Sequence, residues 1–203
     1  MARLIERLAE DPRAFTWLRK VAEANFTAVR RAAAAELPLE QPARVLDLGC
    51  GTGEIAPFFA GQRYLGIDVS PRYLAYARRR FPRLAFCASD GSRLPLRDAS
   101  FDWVWIFGVL HHMPDDLARA VLTEAARVLA GGGRLLLIED SREVPGWNVP
   151  GRIVHALDAG ENIRRQEEYE SLLPAGAFDL AKRFSFTSGI CVYHAFHLIR
   201  KSG

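Results

Sequence analysis

Acidic residues and histidines follow apolar segments of this chain, and they are the side chains best suited to chemistry. Asp47 and Asp68 each lie at or near the end of a short apolar run, and Asp90 follows a third. His111 and His112 follow a fourth. Carboxylates can accept hydrogen bonds from ligand hydroxyl or amino groups, and a neutral imidazole can accept a proton. Since open α/β sheets bind ligands at the carboxyl ends of their strands, the pattern predicts a binding site there.

A glycine-rich turn begins two residues beyond Asp47. The segment reads Val45-Leu46-Asp47-Leu48-Gly49-Cys50-Gly51-Thr52-Gly53, in which an apolar strand leads into glycines at alternate positions. Glycine permits positive φ angles and lets a ligand approach the backbone closely. A strand, a glycine turn and a following helix form the front of a nucleotide-binding βαβ unit.

Asp47 distinguishes this turn from a dinucleotide site. The dinucleotide fingerprint is G-x-G-x-x-G, whereas this chain has G-x-G-x-G. A carboxylate two residues before Gly49 would repel a pyrophosphate and would suit a ligand with positive charge. The pattern therefore favours a cationic ligand over NAD.

The segment Val45–Gly53 resembles motif I of class I methyltransferases that depend on S-adenosylmethionine (SAM), a cofactor with an ammonium and a sulfonium group. The resemblance continues in order through Leu94–Leu96, Ser100–Val104, Gly108–His112, Arg127–Leu129 and Gly131–Leu135. From Val45 to about Ile138 the chain is similar to small-molecule methyltransferases, including those of ubiquinone and menaquinone biosynthesis. Gly131 departs from the pattern, since many relatives carry proline there. The resemblance indicates the cofactor and leaves the acceptor open.

The strand-end residues can be assigned to parts of SAM or its product S-adenosylhomocysteine (SAH). Asp68 would accept the ribose hydroxyls, as acids at this position do in nucleotide sites. The resemblance implies that Asp90 accepts a hydrogen bond from the adenine amino group. Val69 would offer the adenine an apolar face. The remaining expected cofactor residues are Asp47, Gly49, Cys50, Gly51, Gly91, Phe107 and Arg19, of which Arg19 would reach the methionine carboxylate.

Structural explanations compete with two of these assignments. Asp68 could cap the following helix beside Ser70, and Asp90 could belong to an Asp-Gly turn with Gly91. Both alternatives remain open from the sequence.

His111 and His112 are the candidates for catalysis, and both should face the methyl donor. Either imidazole could take a proton from an acceptor hydroxyl or amine, and we favour His112 over His111. The alternative is that they bind backbone or pack on the cofactor.

The alternation of strands and helices predicts the α/β class, with a Rossmann-like, doubly wound, mostly parallel sheet of seven strands. We expect strands at 45–48, 64–68, 84–88, 101–107 and 134–138, followed by two at 178–186 and 192–200. The resemblance implies that these last two form an antiparallel hairpin. Helices are expected at 3–37, from Glu54 or Pro57 onward, at 71–80, from Asp115 or Asp116 to Leu129, and at 167–173.

We expect one domain over residues 1–203, in four parts. Residues 1–40 would form a helical lid, 41–140 the SAM-binding core, 141–175 an insertion that receives the acceptor, and 176–203 the hairpin. Candidates for lining the acceptor region are Glu139, Asp140, Arg142, Trp147, His155, Asp158, Arg164 and Tyr169. We expect Arg164 and Arg165 to lie on a solvated helix face.

Composition narrows the remaining possibilities. The 203 residues carry a net charge of +3, which argues against nucleic acid as a partner. Three widely spaced cysteines form no C-x-x-C pair, so we expect neither a metal site nor disulfides, and we expect a reducing, cytoplasmic setting. No apolar run approaches the ~18–20 residues of a membrane span. The chain would act as a monomer or homodimer on a small-molecule acceptor.

The expected function is methyl transfer from SAM, by in-line displacement, to an oxygen, nitrogen or carbon atom of a small and apolar acceptor. Three alternatives remain open from the sequence. They are a SAM-binding module without catalysis, an NAD-dependent oxidoreductase, and an aminopropyl transferase that uses a decarboxylated cofactor.

Overall fold

The computed structural model describes residues 11–37, 42–152 and 162–202, and its centre is one seven-stranded sheet. The strands are β1 (Arg44–Leu48), β2 (Arg63–Asp68), β3 (Ala85–Ala88), β4 (Phe101–Phe107), β5 (Leu129–Asp140), β6 (Phe178–Ser188) and β7 (Cys191–Arg200). Their order across the sheet is β3-β2-β1-β4-β5-β7-β6. The first five strands run parallel, β7 is antiparallel to β5, and β6 is antiparallel to β7. The predicted Rossmann-like sheet with an antiparallel terminal hairpin is confirmed.

Helices cover both faces of this sheet. They are α1 (Pro12–Ala22), α2 (Thr27–Glu36), α3 (Pro71–Arg80), α4 (Asp115–Val128) and α5 (Gln166–Glu170). Local chemistry starts two of them: the Asp11 carboxylate accepts the backbone N–H groups of Arg13 and Ala14, and Ser70 Oγ accepts that of Tyr73. A side-chain oxygen at this position satisfies amides that the helix itself leaves unpaired. The predicted start of α3 at Pro71 is therefore confirmed.

Alternate residues of β4 pack into two apolar clusters. Val104 and Ile106 face α4, whereas Trp103, Trp105 and Phe107 face the cluster that includes residues of α2 and α3. All five are buried. A parallel strand covered on both faces has to be apolar on both, which explains the continuous run in the sequence.

The N-terminal helix differs from its prediction. Residues 3–10 lie outside the described residues, and the helix is broken by a 3₁₀ turn at Ala24–Phe26. The β6–β7 turn holds this break, because Ile190 N donates to Ala22 O over 2.9 Å and Ser188 Oγ donates to Glu23 O over 2.8 Å. Phe26, at the end of this 3₁₀ turn, packs against Phe107, with the ring centroids 6.1 Å apart.

The helix expected after the glycine turn is also absent, and a 3₁₀ turn at Ala56–Phe59 takes its place. Phe59 is 1% exposed and packs against Tyr64 and Trp105 of the sheet, with ring centroids 6.0 and 5.7 Å apart. Burying this ring brings the chain down onto the sheet before a full helix can form.

The glycine run at 131–133 lies within β5, which begins at Leu129 instead of 134. Pairing with β4 passes from Phe101–Leu129 directly to Trp103–Arg134, so the glycines bulge out of the ladder. Among the described residues, no helix is long and apolar enough to cross a membrane.

The β6–β7 turn provides a test of how the break after α1 is held. A Cβ on Gly189 (φ 60°) would lie 2.1 Å from Ala22 O, whereas a Cβ on Gly132 (φ 77°) would meet nothing within 4 Å. Both alanine variants carry the cost of a positive φ, about 1–2 kcal/mol, and only Gly189→Ala adds a backbone clash. We expect Gly189→Ala to lose about 1–3 kcal/mol more than Gly132→Ala in urea unfolding. Equal losses would show that the turn does not hold α1.

Candidate functional site

The glycine turn after β1 combines a packed position with an open one. A Cβ on Gly49 would lie 2.3 Å from Val109 Cγ2, so this glycine lets the turn pack against the segment that follows β4. A Cβ on Gly51 would meet nothing within 4 Å. The amides of Gly49 and Cys50 both donate to Ile67 O, over 2.7 and 3.0 Å, which fixes the turn to β2. Its backbone is therefore rigid and approachable at Gly51.

Asp68 joins the glycine turn to the start of α3. Its Oδ2 accepts the Gly51 amide and its Oδ1 accepts the Ser70 amide, each over 2.8 Å. Burial raises the pKa of Asp68, and these backbone N–H groups oppose the shift. Ser70 is the residue that caps α3, and Asp68 accepts the Ser70 amide instead of an amide within the helix. Each carboxylate oxygen keeps a second lone pair, so the contacts leave room for ribose hydroxyls, and that role stays a prediction.

Asp47 is a buried acid beneath the turn. It is 3% exposed, and its Oδ2 accepts the Tyr64 hydroxyl over 2.7 Å. Burial raises the pKa of Asp47 to about 7, with a smaller contribution from the Asp68 charge, while the Tyr64 hydrogen bond opposes the rise. A nearby cation would favour the ionised form, because opposite charges attract strongly where water is excluded.

Two expected adenine contacts lie further along the strand ends. Val69 follows β2 and is 76% exposed. Asp90, beyond β3, is exposed, and its Oδ1 accepts both the Ser92 amide and hydroxyl over 2.9 Å. The turn explanation for Asp90 holds at this oxygen, and Oδ2 is a second acceptor. Gly91 is half-buried beside it. Their cofactor roles stay predictions.

A cavity lies between α1 and the glycine turn, where the sheet order changes direction at β1 and β4. It holds about 420 Å³ of empty space, its open mouth included. Its lining consists of Phe15, Thr16, Arg19, Phe26, Asp47, Gly49, Cys50, Gly51, Thr52, Glu54, Ile55, Trp105 and Phe107. Six predicted cofactor residues therefore share it, while Asp68, Val69, Asp90 and Gly91 lie outside the lining.

The first helix is fastened over this cavity. Thr16 Oγ1 donates to Thr52 Oγ1 over 3.0 Å, and Lys20 Nζ lies 2.9 Å from Glu54 Oε2. The Phe15 ring stacks on Tyr73 of α3, with centroids 5.1 Å apart. The helix thus contacts both sides of the nucleotide-type turn, and its role as a lid stays a prediction.

Arg19 brings a positive charge to the cavity, whereas Cys50 is an uncharged part of its lining. The guanidinium carbon of Arg19 lies 4.9 Å from the Phe107 ring centroid and 5.3 Å from that of Phe26, and its Nε lies 2.6 Å from Glu23 Oε1. Burial disfavours this charge, but Glu23, Tyr193 and Asp140 together more than offset that effect, so the pKa of Arg19 lies above its ordinary value. Burial also raises the pKa of the Cys50 thiol, which therefore stays uncharged.

The segment after β4 is organised by Glu139, which is fully buried at the end of β5. Its Oε1 accepts the amides of Val109 and Leu110, over 3.0 and 2.8 Å. Its Oε2 accepts the His111 amide over 3.3 Å and lies 3.0 Å from His111 Nδ1. Glu139 was expected to line the acceptor region, and this is wrong, since every contact it makes here holds the segment.

The two histidines have opposite environments. His111 is 3% exposed, whereas His112 is exposed, and their ring centroids lie 3.9 Å apart. A position directly after a buried strand did not reveal which of the two would turn inward. Their catalytic roles stay predictions.

Arg164 was expected on a solvated helix face and in the acceptor lining, and the structure places it elsewhere. Its side chain is 6% exposed and donates to Leu110 O, Met113 O and Asp115 Oδ1 over 2.7–3.1 Å. It therefore fastens the chain after residue 162 to the segment following β4. Nothing in an Arg-Arg pair signals this role, because its partners are backbone carbonyls far away in sequence.

The other acceptor candidates separate into buried and exposed groups. Tyr169 is fully buried and donates to Asp140 O over 3.0 Å. Trp147 is 79% exposed, and Arg142 pairs with Glu168 at the surface. His155 and Asp158 lie outside the described residues. Among the described residues, no group of His, Cys, Asp and Glu could hold a metal ion.

The sheet order, the glycine turn and the cavity at the β1–β4 junction define a Rossmann-like domain with a nucleotide-type site. Residues 45–133 match the family described as "Methyltransferase domain".

Similar proteins agree with this family. The chain is 42% identical over 113 residues to 27-O-demethylrifamycin SV methyltransferase of Amycolatopsis mediterranei, covering 51% of this chain and 41% of that protein. It is 42% identical over 121 residues to demethylmenaquinone methyltransferase of Beutenbergia cavernae, covering 58% and 48%. The structure of a putative methyltransferase from Bacillus halodurans superposes with a TM-score of 0.71 at 17% identity, covering 87% and 100%, and shows the shared fold. The chain spans about half the length of the curated relatives it matches.

The buried Asp47 should make stability fall as pH rises. In the unfolded chain an aspartate loses its proton near pH ~3.9, whereas Asp47 keeps it to about 7 when folded. Its contribution is therefore complete below pH ~4 and is lost as pH rises through about 7. Asp47→Asn should remove this loss, which amounts to at most about 4 kcal/mol between pH 4 and 8.

Urea unfolding at several pH values measures this difference. Asp116→Asn, at an exposed position on α4, is the matched control and should keep the wild-type slope. Parallel pH curves for wild type and Asp47→Asn would contradict the expectation.

Glu139 should be far more important for stability than a surface glutamate. Glu139→Gln keeps the shape but turns an N–H donor towards backbone amides, so we expect a loss of about 2–4 kcal/mol in urea unfolding. Glu168→Gln removes one partner of a half-exposed ion pair and should cost at most about 1 kcal/mol. A similar small loss for both variants would mean that Glu139 does not hold the segment.

Proposed function

We propose that this protein binds SAM at the ends of β1–β3 and transfers its methyl group to a small-molecule acceptor by in-line displacement. The observation that carries the proposal is the cavity between α1 and the glycine turn, with the acid Asp47 beneath it and Asp68 at its edge. Its position at the β1–β4 junction, in a chain whose residues 45–133 match the methyltransferase-domain family, supports SAM over other nucleotides.

The residues along the strand ends fit the parts of the cofactor. Asp68 would bind the ribose hydroxyls. The exposed Val69 would lie against the adenine ring, and Asp90 would accept a hydrogen bond from the adenine amino group. Gly91 lies beside this adenine position. Gly51, where nothing lies within 4 Å of a Cβ, would admit the nucleoside close to the backbone. When bound, SAM supplies a methyl group on a positively charged sulfur.

The residues of the cavity would hold the amino-acid end of the cofactor. Asp47 offers a carboxylate that a cation would help to ionise, and Arg19 offers a permanent positive charge for the methionine carboxylate. Cys50 would contribute an uncharged thiol, and Phe107 an apolar wall. Opposite charges at the two sides of one cavity suit a zwitterionic amino acid.

The protein's main task is then to orient the acceptor and exclude water. Holding a nucleophile about ~3–3.5 Å from the reacting carbon and in line with the leaving group accounts for much of such catalysis. The contacts between α1 and Thr52, Glu54 and Tyr73 would keep this helix closed during the reaction. The buried His111 is fixed by Glu139, whereas His112 is exposed. This geometry supports His111 rather than His112 as the histidine near the acceptor.

The acceptor side is proposed to include the 141–175 insertion. The relatives are named for a rifamycin derivative and for demethylmenaquinone, both small molecules, which supports a small, apolar acceptor methylated at oxygen, nitrogen or carbon. Three free cysteines, Cys50, Cys87 and Cys191, support a reducing, cytoplasmic setting. We propose that the protein acts as a monomer or homodimer without nucleic acid. The names of the relatives favour methyl transfer over oxidoreduction or binding alone.

Calorimetric titration of the full chain with SAH and with NADH tests this function. We expect SAH to bind and NADH not to. Asp68→Asn should weaken SAH binding by about tenfold or more, because it removes a charged acceptor from the ribose site. Asp179→Asn, on the edge strand β6, should leave the affinity unchanged. Binding of NADH in place of SAH would overturn the proposal, and SAH binding without methylation of any acceptor in a broad small-molecule panel would reduce it to a binding module.

A further inference from the structure

Three polar groups converge beside the cavity, above Gly108. A Cβ on Gly108 would lie 3.6 Å from Arg19 Nη2, 3.6 Å from His111 Cε1 and 3.9 Å from Asp140 Oδ2. These groups come from α1, from the segment after β4 and from the end of β5. Gly108 directly follows Phe107, which lies in the cavity lining.

The acids and the imidazole form an ordered series from buried to accessible. His111 Nδ1 lies 3.0 Å from Glu139 Oε2 and 3.4 Å from Asp140 Oδ2. Carboxylates only accept, so His111 Nδ1 carries a proton between them. The exposed fractions of the side chains are 0% for Glu139, 4% for His111 and 17% for Asp140. Asp140 is therefore the member of the series that a ligand can reach.

The surroundings of Asp140 are aromatic. Phe107 packs against Phe26 and against Tyr193, with ring centroids 6.1 and 5.4 Å apart, and Tyr193 pairs with Asp140 in the β5–β7 register. A carboxylate at the end of an aromatic wall suits a flat apolar molecule that carries a hydroxyl group. The Phe26 and Phe107 rings, which line the cavity, would lie against the skeleton, and the carboxylate would accept the hydroxyl hydrogen.

We propose that Asp140 contacts the acceptor directly, as the group that binds its hydroxyl and takes its proton, and that the acceptor class is a phenol- or enol-type hydroxyl on a planar apolar skeleton. This inference rests on the proposed function and names its acceptor. The acceptor oxygen forms a bond to the methyl carbon, and the carbon–sulfur bond breaks with its electron pair going to sulfur. The hydroxyl proton passes to the Asp140 carboxylate and from there to solvent, which leaves a methyl ether and neutral sulfur in SAH.

Two probes that differ only at the oxygen test this assignment. In the presence of saturating SAH, binding of 1-naphthol and of 1-methoxynaphthalene to the full chain is measured by NMR titration. Wild type should prefer the naphthol by about tenfold, since a hydrogen bond to a charged acceptor typically contributes that much. Asp140→Asn should reduce the preference to less than about threefold, because the remaining acceptor is uncharged.

Controls separate this inference from the function on which it rests. Asp179→Asn should retain the naphthol preference. Because Asp140 lies near Arg19, the SAH affinity of Asp140→Asn is measured first, and its two probes are compared at an SAH concentration that saturates this variant. Equal binding of the two probes by wild type, including no binding of either, overturns the assignment even if Asp140→Asn fails to fold. A preference that survives in a folded Asp140→Asn also overturns it. Failure of wild type to bind SAH instead overturns the proposed function.

Discussion

The buried carboxylate of Glu139 is the constraint on which the geometry of the site depends. A charge removed from water has to be fully hydrogen-bonded, because leaving it unpaired costs several kcal/mol. Glu139 meets this requirement with three consecutive amides and the ring of His111. The segment after β4 is therefore held against the end of β5. That position brings Val109 against Gly49 and His111 beside Asp140.

Other buried polar groups fasten the distant parts of the chain to the same region. Arg164 binds the carbonyls of Leu110 and Met113, so the chain after residue 162 is tied to the segment that Glu139 holds. On the other side, Ser188 and Ile190 of the β6–β7 turn hold the end of α1. The apolar clusters on the two faces of the sheet supply most of the folding free energy. These polar contacts decide where the walls of the cavity lie, because they are directional.

The buried Asp47 lowers the stability of the empty protein and provides a carboxylate in the cavity. Burial beneath the glycine turn raises its pKa to about 7, so the folded protein loses stability as this group ionises. A ligand with positive charge would favour the ionised form and recover part of that loss on binding. Arg19, which is paired with Glu23, carries the opposite charge in the same cavity. The cavity therefore offers both an acidic and a basic side chain. An acid placed here is thus costly for the empty protein and useful for a ligand that bears an ammonium group.

The sequence by itself determined the features that depend on near neighbours. The strand periodicity, the Ser70-Pro71 helix start and the glycine turn were predictable, because each follows from the conformational preferences of a few adjacent residues. The family pattern added the sheet topology and the candidate cofactor residues. Only the tertiary structure decided that the N-terminal helix breaks at Ala24–Phe26, that Arg164 is buried and that Glu139 holds the segment after β4. Those outcomes depend on partners from 28 to more than 160 residues away. Local propensity carries no information about such partners, since they meet only when the sheet has formed.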